Sequence, residues 1–393
     1  MKSLFISYYS GDEKEVIELS SLLKLRGIKV WRDQEKGLLS GDATQQKIKE
    51  FIEGHCFGFL FYATPKALSR DFIKKIEITE AIREYENNSF FRLITILRDL
   101  SFNELTAFSL KEFGLNFSNF FALSINEPFA NSSQECVSVA QSILDKICQD
   151  ETESIKELTP LKIQYCTREK IKDQPDSDFV IDATHLTDIQ FNSDAWELVS
   201  DGLKDIKKSI SRYYGRPRLE FSGSNYLTGS FLLGHIFSAP SGFKSNIRTK
   251  YNFWSTECKP LSDSGFIQRV ETGNIKSTDL FVEITATEKP VQSAVRRYIS
   301  KIGKEPFRRV QFSPKDGPII GAIQDNSVCT ALAFQIRESI TEIIETYNIE
   351  KIHIFGSIPQ AFAFILGHNL NATRPIQLYE YDGCNYHPSY CVK

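Results

Sequence analysis

The chain has 393 residues, of which 41% are hydrophobic and 25% charged, and a formal net charge of −3 at pH 7. That length suits two or three domains, each able to bury a core, and the composition excludes bulk disorder and collagen-like structure. Residues 1–150 carry 18 basic and 21 acidic side chains and residues 151–393 carry 29 of each, a balance that excludes a basic DNA-coating protein but not a local patch for a small polyanion.

The first 150 residues alternate strand and helix. Leu4–Tyr8 reads as a buried strand; Val16, Ile17, Leu19, Leu22 and Leu23 recur at helical spacing, and Gly27 stops that helix. Ile28–Trp31 is a second strand. A polar loop over 34–44, holding Gly37 and Gly41, leads to a short helix over 46–52. Cys56–Tyr62 is apolar on both faces, as a central strand would be. A helix over 69–85, strands over 92–97 and 120–124, and a helix over 134–150 complete the unit. Strands alternating with helices predict a parallel sheet covered on both faces.

The polar stretch Asp150–Ser154 is read as a linker, which sets domains at 1–150 and 160–393. The second region predicts strands over 163–167, 178–184, 218–222, 247–254, 278–285, 308–313, 351–355 and 376–381. Helices are expected over 194–213, 225–238, 290–302, 327–347 and 359–370.

A repeat lies inside it. Residues 223–235 align without a gap on 356–368: Gly223-Ser224 on Gly356-Ser357, and Phe231, Leu233, Gly234 and His235 on Phe364, Leu366, Gly367 and His368. Each copy follows a strand and precedes another, which predicts a pseudo-twofold pair of α/β halves.

The longest apolar run, Phe57–Ala63, is far short of the roughly 20 residues of a membrane helix. The N-terminus lacks a signal core and cleavage site. The expectation is a cytoplasmic protein with no membrane or DNA contact. Eight scattered cysteines form no C-x-x-C pair and no zinc spacing, so reduced thiols and no metal site are expected. His235 and His368, inside apolar helices, are read as hydrogen-bonded core histidines.

The order Phe5-Ile6-Ser7-Tyr8, Val30-Trp31-Arg32-Asp33, Ser40-Gly41-Asp42 and Ser69-Arg70-Asp71-Phe72-Ile73-Lys74-Lys75-Ile76-Glu77 resembles a TIR domain over residues 1 to about 145. The resemblance implies a flavodoxin-like fold. It also implies one of two roles: a scaffold, or an NAD hydrolase whose glutamate follows the third strand. Glu77 stands at that position. Breaking the nicotinamide–ribose bond develops an oxocarbenium ion, which a fixed carboxylate stabilises. Phe72, Ile73 and Ile76 are expected to form the apolar stripe of this helix with Glu77 on its flank. Ser7, Tyr8, Trp31, Arg32 and Asp33, with Gly41 and Asp42 in the loop, are the expected NAD-binding residues; Trp31 is read equally as a stacking platform and as a core aromatic. No G-x-G-x-x-G follows the first strand, so a Rossmann oxidoreductase is excluded.

Ile354-Phe355-Gly356-Ser357-Ile358-Pro359, Phe364–His368, Ile376–Asp382 and Tyr386–Tyr390 resemble a SAVED domain. This is a fusion of two CARF-like (Rossmann-like) α/β halves that binds cyclic oligonucleotides in bacterial CBASS antiphage systems. Gly-Ser turns at helix N-termini present backbone N–H groups to anions, so Ser222, Gly223, Ser224, Asn225, Gly356 and Ser357 are expected to hold phosphates. Thr285, Thr287 and Lys289 lie at another strand tip, with Thr184-His185 read as the matching place in the first half. Arg248, Lys250 and Arg374 are expected to supply charge, and Trp254 and Tyr381 to stack bases.

Together the resemblances imply an antiphage effector. A cyclic oligonucleotide, with cyclic tri-adenylate favoured, drives self-association into oligomers or filaments and switches on hydrolysis of NAD to nicotinamide and ADP-ribose. NAD is then substrate, and no cofactor is expected. Two alternatives stay open: a ligand-binding scaffold whose TIR domain recruits another effector, and a phosphodiesterase that degrades its own ligand.

Overall fold

The computed structural model describes residues 2–32, 42–130, 133–152, 160–169, 177–287, 291–317, 319–371 and 373–393. They form two compact units, one of 1–154 with 174–181 and one of 155–173 with 182–393.

In the first unit, β1 (Ser3–Ser7) is buried throughout. Helix α1 (Glu13–Leu25) lays Val16, Leu19, Leu22 and Leu23 into the core and leaves Ile17 exposed. Gly27 ends this helix at φ 77°, a left-handed conformation that costs glycine little. Next come β2 (Val30–Trp31), α2 (Asp42–His55), the central β3 (Cys56–Ala63) and the short α3 (Pro65–Leu68). A π-helical stretch, Ile73–Ile78, runs directly into α4 (Thr79–Asn87). Strand β4 (Arg92–Arg98), α5 (Phe102–Phe113), β5 (Phe121–Ile125) and α6 (Gln134–Thr152) complete the unit.

The sheet order is β2-β1-β3-β4-β5, and every neighbouring pair is parallel. This is the flavodoxin-like order, in which the chain reverses its direction of build-up between β1 and β3 and leaves a crevice at their carboxyl ends.

Two details depart from the sequence reading. Helix α5 was not expected, although Ser101 and Glu104 form a reciprocal capping box at its start. The stripe of the helix after β3 is also shifted: Phe72 is exposed and Ile76 only half-buried, while Ile73, Ile78 and Ala81 are buried. The wider π turn is the cause, because it rotates the next residues past their α-helical positions.

The second unit begins with β6 (Leu161–Cys166); the division between units falls within β7 (Phe179–Asp182). It continues through α7 (Ser193–Tyr213), β8 (Leu219–Ser222), α8 (Leu227–Ile236), β9 (Ser245–Arg248) and β10 (Phe253–Ser255). Then follow β11 (Phe266–Thr272), β12 (Asp279–Thr285), α9 (Val291–Ile302), β13 (Arg308–Pro314) and α10 (Asn326–Thr346). Last come β14 (Lys351–Ser357), α11 (Gln360–Asn369), β15 (Ile376–Tyr381) and β16 (Tyr386–Val392).

One sheet runs β10-β9-β8-β6 and the other β16-β15-β14-β12-β13-β11. The parallel cores β9-β8-β6 and β15-β14-β12 correspond one to one, each flanked by an antiparallel strand, β10 or β16. The single strand expected over 247–254 is in fact the hairpin β9–β10, closed by hydrogen bonds between Thr249 and Asn252.

The repeat explains how the halves meet. Helices α8 and α11 are buried nearly all round and pack on each other. A Cβ on Gly234 would lie 2.0 Å from the Phe364 carbonyl oxygen, and one on Gly367 would lie 2.1 Å from that of Phe231. His235 Nδ1 pairs with the Leu370 carbonyl at 3.0 Å, and His368 Nδ1 with the Phe237 carbonyl at 2.7 Å. Burial holds both imidazoles below their ordinary pKa, so they stay neutral. The repeated Phe, Gly and His positions therefore build a self-complementary seam.

Candidate functional site

The first site sits where β1 and β3 end. Ser7, the last residue of β1, is buried, and its Oγ donates to Glu77 Oε2 at 2.5 Å. Glu77 is 6% exposed, on the π-helical stretch. It is thus not the solvated flank residue that helical spacing suggests. The π turn carries it inward to Ser7, and π segments recur at functional sites. A buried carboxylate needs such a donor.

Around this pair the same edge collects charge. Thr64, just after β3, caps α3 by accepting from the Ala67 N–H at 3.2 Å and donates to Asp12 at 2.8 Å. Burial, its largest influence, raises the Asp12 pKa. The Arg70 guanidinium lies 4.5 Å from the Tyr9 ring centroid and the Lys66 ammonium 5.7 Å away. The sequence reading missed this basic, aromatic cluster because Tyr9 follows β1 whereas Lys66 and Arg70 lie in and just after α3, more than 50 residues on.

The other expected NAD-binding residues divide. Tyr8 and Arg32 are half-buried at the ends of β1 and β2. Trp31 is packed inside, its ring 4.9 Å from Phe5 and 4.4 Å from Phe51. Of its two readings the core aromatic is the one found, so no open stacking platform exists there. Asp33, Gly37 and Gly41 lie outside the described residues, as does the side chain of Asp42, which starts α2. A cleft of about 860 Å³ in this unit is lined by Phe90, Phe120, Phe121, Lys146 and Asp150. It lies where β4 and β5 begin, at the opposite end of the sheet from Glu77.

The second site is a cleft of about 780 Å³ in the second unit, where Ser224, Asn225, Gln360, Glu380, Tyr381 and Arg168 converge. Gly223 adopts φ 146°, and a Cβ there would fall 1.7 Å from the Tyr165 carbonyl oxygen. Only glycine can take that turn. Gln360, the first residue of α11, clamps it from the other half: Nε2 donates to the Gly223 carbonyl and Oε1 accepts from the Asn225 N–H, both at 3.1 Å. The Tyr226 N–H donates to Thr167 Oγ1 at 3.0 Å.

These bonds correct one expectation. The Asn225 and Tyr226 N–H groups are already satisfied within the protein and are not free for a phosphate. At the second residue of α8, the Thr228 N–H donates to Glu380 Oε1 at 2.6 Å. The anion at this helix N-terminus is the chain's own carboxylate. Glu380 is 6% exposed, and burial pushes its pKa up to about 7 against the pull of its bonds to Thr228 and the Arg168 charge. Asp382 nearby is held down to about 2, chiefly by the Asn385 and Cys384 N–H groups and also by His387.

Sheet order fixes the remaining residues. Strand β12 corresponds to β6, so Thr285–Thr287 matches 166–168, and not Thr184-His185 as expected. The Thr167 N–H donates to the Ser224 carbonyl, just as the Ala286 N–H donates to that of Ser357, both at 3.0 Å. Ser222 is half-buried at the end of β8. The Thr287 and Ser357 hydroxyls hydrogen-bond each other, and Gly356-Ser357 is the end of β14 itself. Thr285 is fully buried and accepts from the Val291 N–H, and Trp254 is also buried; both are structural. Arg248 and Lys250 are exposed, each over a neighbouring ring, Phe253 and Tyr251. Arg374 precedes β15, which runs parallel to β14, so it lies at the far end of the sheet from Ser357 and does not serve this cleft. Lys289 is outside the described residues. Among the described residues no group of three or more His, Cys, Asp or Glu could hold a metal. No helix among them is long and apolar enough to cross a membrane.

Residues 4–113 match the TIR domain family model. Residues 203–392 match the SMODS-associated and fused to various effectors sensor domain, SAVED. The CD-NTase-associated protein 4 of an Acinetobacter species is 23% identical over 214 residues, 52% of this chain and 44% of that protein. Its counterpart from Moraxella osloensis is 25% identical over 215 residues, with the same shares. The chain spans less than half the length of these relatives. Among solved structures, the Acinetobacter baumannii Cap4 SAVED/CARF-domain containing receptor with the cyclic trinucleotide 3′3′3′-cAAA covers 96% of this chain and 97% of its own at 15% identity, with a TM-score of 0.51. The same receptor with 2′3′3′-cAAA matches equally. At that identity the likeness concerns fold alone. With a flavodoxin-like parallel unit in front and two corresponding CARF-like halves behind, the chain is a fusion of a TIR domain and a SAVED domain.

Proposed function

We propose that the protein is an antiphage effector of the CBASS type, in which a cyclic oligonucleotide bound by the SAVED domain switches on cleavage of NAD by the TIR domain. The observation that carries the enzymatic half is the buried Ser7–Glu77 pair at the β1/β3 crevice. In this reading the bond between C1′ of the ribose and the pyridinium nitrogen breaks heterolytically. Nicotinamide leaves with the bonding pair as a neutral base, and an oxocarbenium ion remains. The Glu77 carboxylate, held in orientation by Ser7, stabilises that cation. Water adds to C1′ and releases one proton, giving ADP-ribose. Tyr9, Arg70 and Lys66 sit where a pyrophosphate and a ring would be received.

The sensing half is supported by the cleft at Gly223, Gln360 and Glu380 and by the cyclic trinucleotides bound to the receptor of the same fold. A ligand activates only through its greater affinity for the active state. Self-association of ring-bound chains supplies such a state, and assembly and binding then strengthen each other.

The test is nicotinamide release from NAD by purified protein with cyclic di-, tri- and tetranucleotides, for the wild type and Glu77→Ala. Release that needs a ring and vanishes in Glu77→Ala, with ring affinity kept, is expected. Ring binding without release in the wild type would leave the TIR domain a scaffold. Loss of the ring itself in either protein would point to a phosphodiesterase.

A further inference from the structure

We infer that Glu380 is a specificity-determining residue of the SAVED cleft, accepting a hydrogen bond from an N–H or O–H group of the bound ring's base or sugar; this rests on the sensor reading above. Three observations carry it. Glu380 lines the cleft yet is only 6% exposed. The donor group holding it is Thr228, whose backbone N–H reaches Oε1 at 2.6 Å. A carboxylate accepts about four hydrogen bonds, so acceptor capacity remains toward the cleft. Finally, the other carboxylate on the wall, Asp382, is occupied by the Cys384 and Asn385 N–H groups and by His387.

Charge decides which part of the ring comes here. Phosphate oxygens beside a buried carboxylate repel it, so they belong toward Arg168, the cation of the lining. What faces the ionised Glu380 must donate. In a ring of adenylates two groups qualify: the 6-amino group of the base and the 2′-hydroxyl of the sugar.

The Glu380→Gln variant is diagnostic because Thr228 fixes how the amide sits. The backbone N–H needs an acceptor, so the amide oxygen turns to it and the NH2 turns to the cleft. A ligand donor then meets a donor. Binding of three probes is measured by calorimetry: 3′3′3′ cyclic tri-adenylate, the same ring built on purine riboside (no amino group), and the same ring built on 2′-deoxyadenosine.

The wild type is expected to bind one of the two modified rings at least tenfold more weakly than cyclic tri-adenylate. Glu380→Gln is expected to bind cyclic tri-adenylate at least tenfold more weakly, yet to bind that modified ring within about twofold of wild type. Which ring shows the effect identifies the amine or the hydroxyl as the donor. The proposal is overturned if the wild type does not distinguish the rings, or if Glu380→Gln weakens all three alike, which marks a purely structural cap. Failure of the wild type to bind any ring overturns the sensor reading and this inference with it, whereas binding without discrimination overturns this inference alone.

Discussion

The Ser7 hydroxyl and the Glu77 carboxylate are 70 residues apart in the chain and 2.5 Å apart in the fold. Removing this donor takes one hydrogen bond from a buried carboxylate, which costs about 1–3 kcal/mol. Ser7→Ala is therefore expected to lower the rate of NAD cleavage roughly 10- to 100-fold at saturating ring, with ring affinity unchanged; full activity in Ser7→Ala would remove Ser7 from the site. Glu380 gives a residue-scale prediction independent of catalysis. Its folded-state pKa, about 7, lies above the ordinary carboxylate value of 4.5, so the folded state binds the proton more tightly. The stabilisation is fully present below pH 4.5 and is lost as pH rises through 7, by on the order of 3 kcal/mol. The buried histidines, held low, act with the opposite sign. The comparison that isolates Glu380 is therefore Glu380→Gln against wild type. The variant's unfolding midpoint, relative to wild type, should rise between pH 5 and pH 8, and a constant difference would refute the shift.

At the scale of elements, the seam between α8 and α11 leaves no room for a side chain at Gly234 or Gly367. Alanine at either position is expected to destabilise the chain by about 1–3 kcal/mol or more through overpacking. Gly114→Ala, at φ 70° with open space around it, should cost only left-handed backbone strain, about 1–2 kcal/mol, and denaturant midpoints of the three variants test that order. Gly223→Ala should abolish ring binding, because the new methyl group collides with the Tyr165 carbonyl; calorimetry reads that directly. Most elements were legible in the sequence because their apolar spacing is regular. Those missed have physical reasons. Helix α5 carries its signal in a cap, and β11 exposes Val270 and turns charged residues outward, which removes the apolar pattern. The hairpin β9–β10 turns at Lys250-Tyr251, without the glycine or proline that would mark a turn in the sequence.

Across the whole molecule, the sequence pointed to Glu77 and to the Gly-Ser turns, but not to what holds them. Ser7–Glu77 depends on a π turn that spacing cannot reveal. Gln360, Glu380 and Arg168 reach the cleft only once β6 is matched to β12. If assembly and ring binding are coupled as proposed, NAD cleavage per chain should rise with protein concentration at fixed saturating ring, and light scattering should grow in parallel. A rate per chain that is independent of concentration, with a monomer throughout, would remove self-association from the account.

The seam carries one more consequence. Helices α8 and α11 present the same glycine-on-carbonyl and histidine-to-carbonyl contacts to each other, the reciprocity expected where two copies of one surface meet across a twofold axis. Either half expressed by itself would bare its seam helix, a surface that only a second half covers.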